Sequence, residues 1–199
     1  MRLSRSLENL KAFLKPGLVY RRRDLAMLSS NVDRHLAALV RDGFLRKLQQ
    51  GLYVCPQNTV FGEAPPDEDV LLEAFLNDNH FVVYSPNAFN SLGLGTTQLY
   101  NRKVVFNRKR SGEFNLGGRT YLFHRWREAP KVVTREFLVV GLLNRLQELA
   151  EDRGQVMVRL REKLSTFNNR KLSEAANRYG TYSTQLKIKK LMERRVSVD

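Results

Sequence analysis

The sequence predicts an α+β fold with three parts: an N-terminal winged helix-turn-helix, a small central α/β unit with antiparallel strands, and a helical C-terminal region. Three observations lead there. Apolar residues recur at helical spacing, broken by proline and glycine, through the first 45 residues. Short strand-like runs separated by turn residues follow, as far as about residue 125. Long apolar periodicity then returns after Thr134. The expected divisions are 1–58, 59–130 and 131–199.

Leu7, Leu10, Phe13 and Leu14 fall at helical spacing after Ser4 or Ser6, and Lys15-Pro16-Gly17 ends that helix because proline cannot continue it. Val19 and Tyr20 make a short extended piece, and Leu25 and Leu28 face inward on a second, short helix that breaks at Ser29 to Asn31. The stretch SSNVDRHLAALVRDGF supplies the third helix. Ser30 and Asp33 stand at capping-box spacing. Val32, Leu36, Leu39 and Val40 form an inward stripe, and Gly43 provides the left-handed stop. FLRKL and LYV, joined by Gln49-Gln50-Gly51, read as a hairpin.

Three short helices and a basic hairpin, in that order, are the pattern of a winged helix, whose third helix lies in the major groove of DNA. Asn31, Arg34, His35 and Ala38, opposite the apolar stripe, are the expected base-reading set. Arginine bonds guanine bidentately, asparagine does the same with adenine, and a small residue admits a thymine methyl. Arg21, Arg22, Arg23, Ser30, Arg41, Arg46, Lys47 and Gln49 are the expected phosphate contacts, which position without reading sequence. A capped amphipathic helix with a merely solvated outer face is the plainer alternative. Helix order, hairpin and local charge together weigh against it.

FGEAPPDED, Phe61 to Asp69, reads as a connector, after which a helix opens with carboxylates in its first turn. FVVY is a short buried strand, Ser85-Pro86 restarts a helix that Gly93 ends, and KVVFN, EFNL and RTYLFHR read as successive antiparallel strands. LGLGTT lacks the lysine and the spacing of a phosphate-binding P-loop and reads as a plain loop. Four helical stretches follow from Thr134. Their basic residues Arg159, Arg161, Lys163, Arg170, Lys171, Lys187, Lys189 and Lys190 form either a docking face for an acidic partner or nucleic acid, or ordinary helix exteriors.

Across 199 residues the net charge is +14, with a pI near 10.3, which suggests a polyanionic partner. Residues 1–56 carry eleven Lys and Arg against four Asp and Glu, net +7; residues 57–130 are neutral, and residues 131–199 carry fifteen against eight, net +7. A single cysteine, Cys55, excludes an intramolecular disulfide framework and suits a reducing compartment. The N-terminus is too broken by charge for a secretory signal, and no apolar run approaches the roughly 20 residues that span a bilayer. A cytoplasmic location and no membrane partner are therefore expected.

His35, His80 and His124 show no ligand spacing, so neither a metal nor another cofactor is expected. Cys55 reads as a small buried thiol and His124 as a cross-strand surface residue. No constellation for catalysis emerges, and the expectation is that the chain is not an enzyme.

The string YRRRDLAMLSSNVDRHLAALVRDGFLRKLQQGLYVCP resembles the N-terminal winged helix of the AbiEi-type antitoxins of type IV toxin-antitoxin (abortive infection) operons. The resemblance continues through TVFGEAPPDEDV, SPNAFNSLGLGTTQ and FNLGGRTYLFHR, about two thirds of the chain. It implies a transcriptional repressor of its own operon that binds inverted repeats in promoter DNA, as a monomer in solution or a dimer formed on DNA. It also implies that the region beyond the winged helix neutralises a cognate nucleotidyltransferase-like toxin, in a partnership that need not leave a stable complex. The residues themselves leave two alternatives: a winged-helix module that docks on protein or regulates without a toxin, and an RNA-binding or nucleic-acid-processing protein.

Overall fold

A computed structural model describes residues 5–196, with side chains through Glu193. Ser4, one of the two expected helix starts, lies outside these residues. The fold is mixed α and β and divides into two compact units, one of Met1–Asn79 with Asn115–Arg119, the other of His80–Phe114 with Thr120–Asp199.

In the first unit α1 (Arg5–Phe13) buries Leu7 and Leu10. It is followed by β1 (Val19–Arg21), α2 (Arg22–Leu25), α3 (Val32–Arg41), β2 (Arg46–Gln49) and β3 (Leu52–Val54). The three strands form an antiparallel sheet in the order β1-β3-β2, with Tyr53 opposite both Tyr20 and Lys47. Gly51 turns the β2–β3 hairpin at φ +75°, a conformation that costs a residue without a Cβ little. Leu10, Leu25, Leu36, Leu39 and Leu45 are each at most 2% exposed and bind helices and sheet into one core with Tyr20, Tyr53 and Cys55. Burial raises the Cys55 thiol pKa, which suits a core residue rather than a nucleophile.

Helix α3 departs from expectation in two ways. Its N-cap is Asn31, which makes no side-chain cap bond, and the Ser30–Asp33 capping box does not form. Both Asp33 carboxylate oxygens instead accept from Arg22, through Nε and Nη2 at 2.6 Å each. A bidentate, charge-assisted pair outcompetes one bond to a backbone amide. The buried stripe is Val32, His35, Leu36 and Leu39, so it is rotated from the expected one; Val40 is 36% exposed. At about 100° per residue His35 lies nearer the stripe's centre than Val40 does. Leu28, expected on the inner side of the second helix, lies beyond the end of α2 and is exposed.

A second hairpin pairs β4 (Gln57–Thr59) with β5 (Gly62–Ala64), so the expected connector, Phe61 to Asp69, contains a strand near its start. Helix α4 (Glu68–Leu76) follows, with the Asp67 carboxylate accepting from the amides of Asp69 and Val70.

The second unit, apart from residues 115–119, comprises β6 (Phe81–Tyr84), a 3₁₀ helix at Pro86–Leu92, β7 (Arg102–Asn107), β8 (Gly112–Leu116), β9 (Arg119–Arg125), α5 (Arg135–Arg145), α6 (Arg153–Glu162), a 3₁₀ turn at Leu164–Thr166, α7 (Asn169–Tyr179) and α8 (Tyr182–Val196). The sheet order is β6-β7-β9-β8. β6 and β7 are antiparallel, but β7 and β9 are parallel, which corrects the expected run of antiparallel strands. The reason is apolar content. β9 buries Tyr121 and Phe123 at no more than 1% exposure and takes the inner position, while the polar β8 is left at the edge.

The expected cut at 130 does not divide the core. Phe106 of β7, Phe137 of α5 and Tyr179 of α7 meet edge to face with centroids 5.3–6.0 Å apart, so sheet and C-terminal helices are built on a single cluster. No helix among the described residues is long and apolar enough to cross a membrane.

His124, expected at the surface, is half-buried, with its Nε2 buried and without a partner among the described residues. Burial first, and Arg145 second, hold its pKa below the usual 6.5. The unfolded chain therefore binds this proton more readily, and the native state loses stability as pH falls through about 6.5 toward the lower native value. Denaturant midpoints measured from pH 7.5 to 5 are expected to fall along that window. The fall should be shallower in His124→Phe, which cannot titrate.

Candidate functional site

The site is built on α3. Ten residues rising 1.5 Å each give a helix of about 15 Å, anchored on one side by Val32, Leu36 and Leu39. The opposite side carries Arg34, Ala37 and Arg41, all exposed, with Asn31 at the helix start and Ala38 half-buried on the flank. Of the expected base-reading set, Asn31, Arg34 and Ala38 thus lie on or beside one outer face. His35 does not. It is 7% exposed, and its Nδ1 is 2.8 Å from Ser29 Oγ, so it belongs to the core and cannot touch a base. Ala37 takes its place on the outer face. Correct phasing of the stripe is the signal that finds it, because a polar His inside an aliphatic period shifts the apparent centre.

The expected phosphate contacts are mostly engaged within the chain. Arg21 grips Asp24 with Nε and Nη2 at 2.7 Å, and its third nitrogen is buried. Arg22 is held by Asp33, whose pKa falls below the usual carboxylate range chiefly through that hydrogen bond. Arg41 Nε is 3.0 Å from Asp42, Arg46 Nε 2.8 Å from Glu63, and Lys47 Nζ 2.8 Å from Gln50 Oε1. Arg23 remains open, at 72% side-chain exposure and 3.9 Å from Asp24; Ser30 is exposed and Gln49 half-buried. Among the described residues Arg34 makes neither a hydrogen bond nor an ion pair. Its guanidinium is the open donor fork at the middle of the outer face.

Counting charge by compact unit changes the picture given by thirds of the sequence. The first unit carries twelve Lys and Arg against ten Asp and Glu, net +2; the second carries twenty-two against ten, net +12. Residues 57–79 hold six carboxylates and no Lys or Arg, and they offset most of the N-terminal excess.

The fold is similar to that of a solved mycobacterial protein. This is the RV2827C protein from Mycobacterium tuberculosis, with a TM-score of 0.50 and 15% identity, the match covering 96% of this chain and 75% of that one. At that identity the likeness concerns the fold alone. No family model and no curated protein matches the chain.

The C-terminal basic residues do not form one free face. Arg159, Arg161, Lys163, Arg170, Lys171, Lys189 and Lys190 are exposed and Lys187 half-buried, with Arg170 paired to Glu174 and Lys189 to Glu193. Arg159 and Lys163 lie over the LGLG loop. A Cβ on Gly95 would come within 3.1 Å of Arg159, and one on Gly93 would fall on Lys163 Nζ. Both glycines are also in the left-handed region, at φ +65° and +83°. The amides of Thr97 and Gln98, just after the loop, point at the Glu151 carboxylate at 3.4 and 3.3 Å. No cluster of three or more His, Cys, Asp or Glu among the described residues could hold a metal ion.

Proposed function

We propose that the first unit is a winged helix that reads duplex DNA through α3, and that the chain is a repressor of its own operon. The observation that carries this reading is Arg34: exposed, unpaired and central on the outer face of a helix whose other side is locked into the core. An α-helix, about 10–12 Å across with its side chains, fits a major groove about 12 Å wide, and an unengaged guanidinium can bond guanine without first giving up a partner. The hairpin β2–β3, with Arg46 and Lys47, stands as the wing. The AbiEi-like motifs support a further step: the second unit, beyond the winged helix, opposes a cognate nucleotidyltransferase-like toxin.

A direct test is a titration of the full chain with duplex from its own promoter against a shuffled duplex of equal length. The expected outcome is a preference for the promoter duplex, with binding to both duplexes weakening as salt rises. Equal binding to both removes the reading.

The engaged cations favour one competing interpretation, in which the same unit docks on a protein and its arginines serve only structure. Asp33→Asn separates the two. If Arg22 is a phosphate contact held in reserve, releasing it tightens binding to every duplex and steepens the salt dependence by about one unit of log K per log salt. Under the protein-docking reading, DNA affinity stays negligible in both proteins.

A further inference from the structure

The second unit holds an arginine-lined cleft that none of the DNA-reading residues enters. It has a volume of about 660 Å³ and is formed where the end of β9 meets the C-terminal end of α7 and the start of α8. Arg108, Arg125, Arg127 and Arg178 line it, together with Trp126 and a single acid, Glu128. Arg178 binds Glu128 and so uses up the only carboxylate of the lining. Arg125 and Arg127 are exposed and make no ion pair among the described residues. Within the second unit, of net charge +12, residues 102–114 and 120–128 carry seven Lys and Arg against Glu113 and Glu128. Here four arginines converge on one concavity with a single carboxylate among them, whereas the cations around α3 are largely paired.

The second feature is the indole. Trp126 lines the cleft, packs on Phe106 with centroids 5.9 Å apart, and donates from Nε1 to the Arg178 carbonyl at 2.7 Å. The ring is therefore fixed in place, and it is half-buried and lines the same cleft as the arginines. A rigid aromatic surface beside several guanidinium forks is a combination suited to an aromatic base carrying phosphate: the ring stacks the base and the forks bind phosphate oxygens bidentately. The volume lies within the range of about 300–1,000 Å³ that holds small ligands.

We infer that this cleft is a nucleotide site, taking a nucleoside polyphosphate with its base against Trp126 and its phosphates on Arg125, Arg127 and Arg108. The site is independent of the winged-helix reading and could stand if that reading fell.

Trp126 is the chain's only tryptophan, so its emission reports on the cleft. The full chain is titrated with ATP, with adenosine, with inorganic tripolyphosphate and with a ten-nucleotide single-stranded DNA. The expected result is a saturable change in emission with ATP, no change with adenosine, and displacement of ATP by tripolyphosphate. In Arg125→Gln/Arg127→Gln, half-saturation should move up on the order of tenfold or more, with an unchanged circular dichroism spectrum. In Arg34→Ala it should stay where it is. The proposal is overturned by the absence of saturation with ATP, by equal half-saturation in the double variant, or by a response to the oligonucleotide alone.

Discussion

Phe106→Ala is expected to lower the stability of the second unit by about 3–5 kcal/mol, the range for emptying an aromatic site in a packed core. Phe106 is 5% exposed and touches three other rings: Phe137 at 5.4 Å, Tyr179 at 6.0 Å and Trp126 at 5.9 Å. The three come from α5, from α7 and from the residue after β9, so no single element can move to fill the space. Against a total domain stability of about 5–15 kcal/mol, a loss of this size moves the denaturant midpoint severely. Urea unfolding followed by the emission of Trp126 measures it directly. A loss under about 1 kcal/mol would mean that sheet and helices do not share this core.

Arg34→Ala is expected to reduce the preference for promoter over shuffled duplex by about 1–3 kcal/mol, roughly 5- to 150-fold, while leaving binding to the shuffled duplex nearly unchanged. The side chain is exposed and makes no hydrogen bond or ion pair among the described residues, so folding should be unaffected. Arg46→Ala provides the contrast. Its guanidinium is shared with Glu63 and aims at the DNA backbone in the proposed pose, so its loss should weaken both duplexes alike. A uniform loss in Arg34→Ala as well would demote Arg34 from a reader to a general phosphate contact.

Much of the fold could be read from the residues because the punctuation is strong. Pro16 and Gly17 end α1, Gly51 turns the β2–β3 hairpin, Asp67 starts α4, Ser85 and Pro86 start the 3₁₀ helix and Thr134 caps α5, each through a local rule that needs no tertiary information. What could not be read were outcomes of competition between distant residues. Asp33 had a nearby amide to cap, and it went instead to Arg22, eleven positions away. His35 reads as polar and outward until Ser29 is seen to satisfy it from within. The inner position of β9 depends on which of two strands has more apolar surface to bury, a comparison that no single strand reveals.

The candidate site was legible in outline and misjudged in its electrostatics. Asn31, Arg34 and Ala38 lie on or beside the outer face as the helical period implies. Net charge by sequence segment placed half the basic excess on the N-terminal unit, but the six carboxylates of residues 57–79 fold into the same unit and cancel most of it. The arginine cleft escaped for the opposite reason. Residues 57–130 average to zero because an acidic stretch and a basic stretch adjoin there, and the boundary between the compact units at Asn79/His80 separates them.

The central claim is that the outer face of α3 reads the edges of base pairs. The most direct measurement is the affinity of the full chain for its own promoter duplex and for a shuffled duplex across a range of salt concentrations. The account predicts a preference for the promoter of at least about 10³-fold that persists as salt rises, over a shared linear fall of log K with log salt. Identical curves for the two duplexes, or no measurable binding to either, would contradict it.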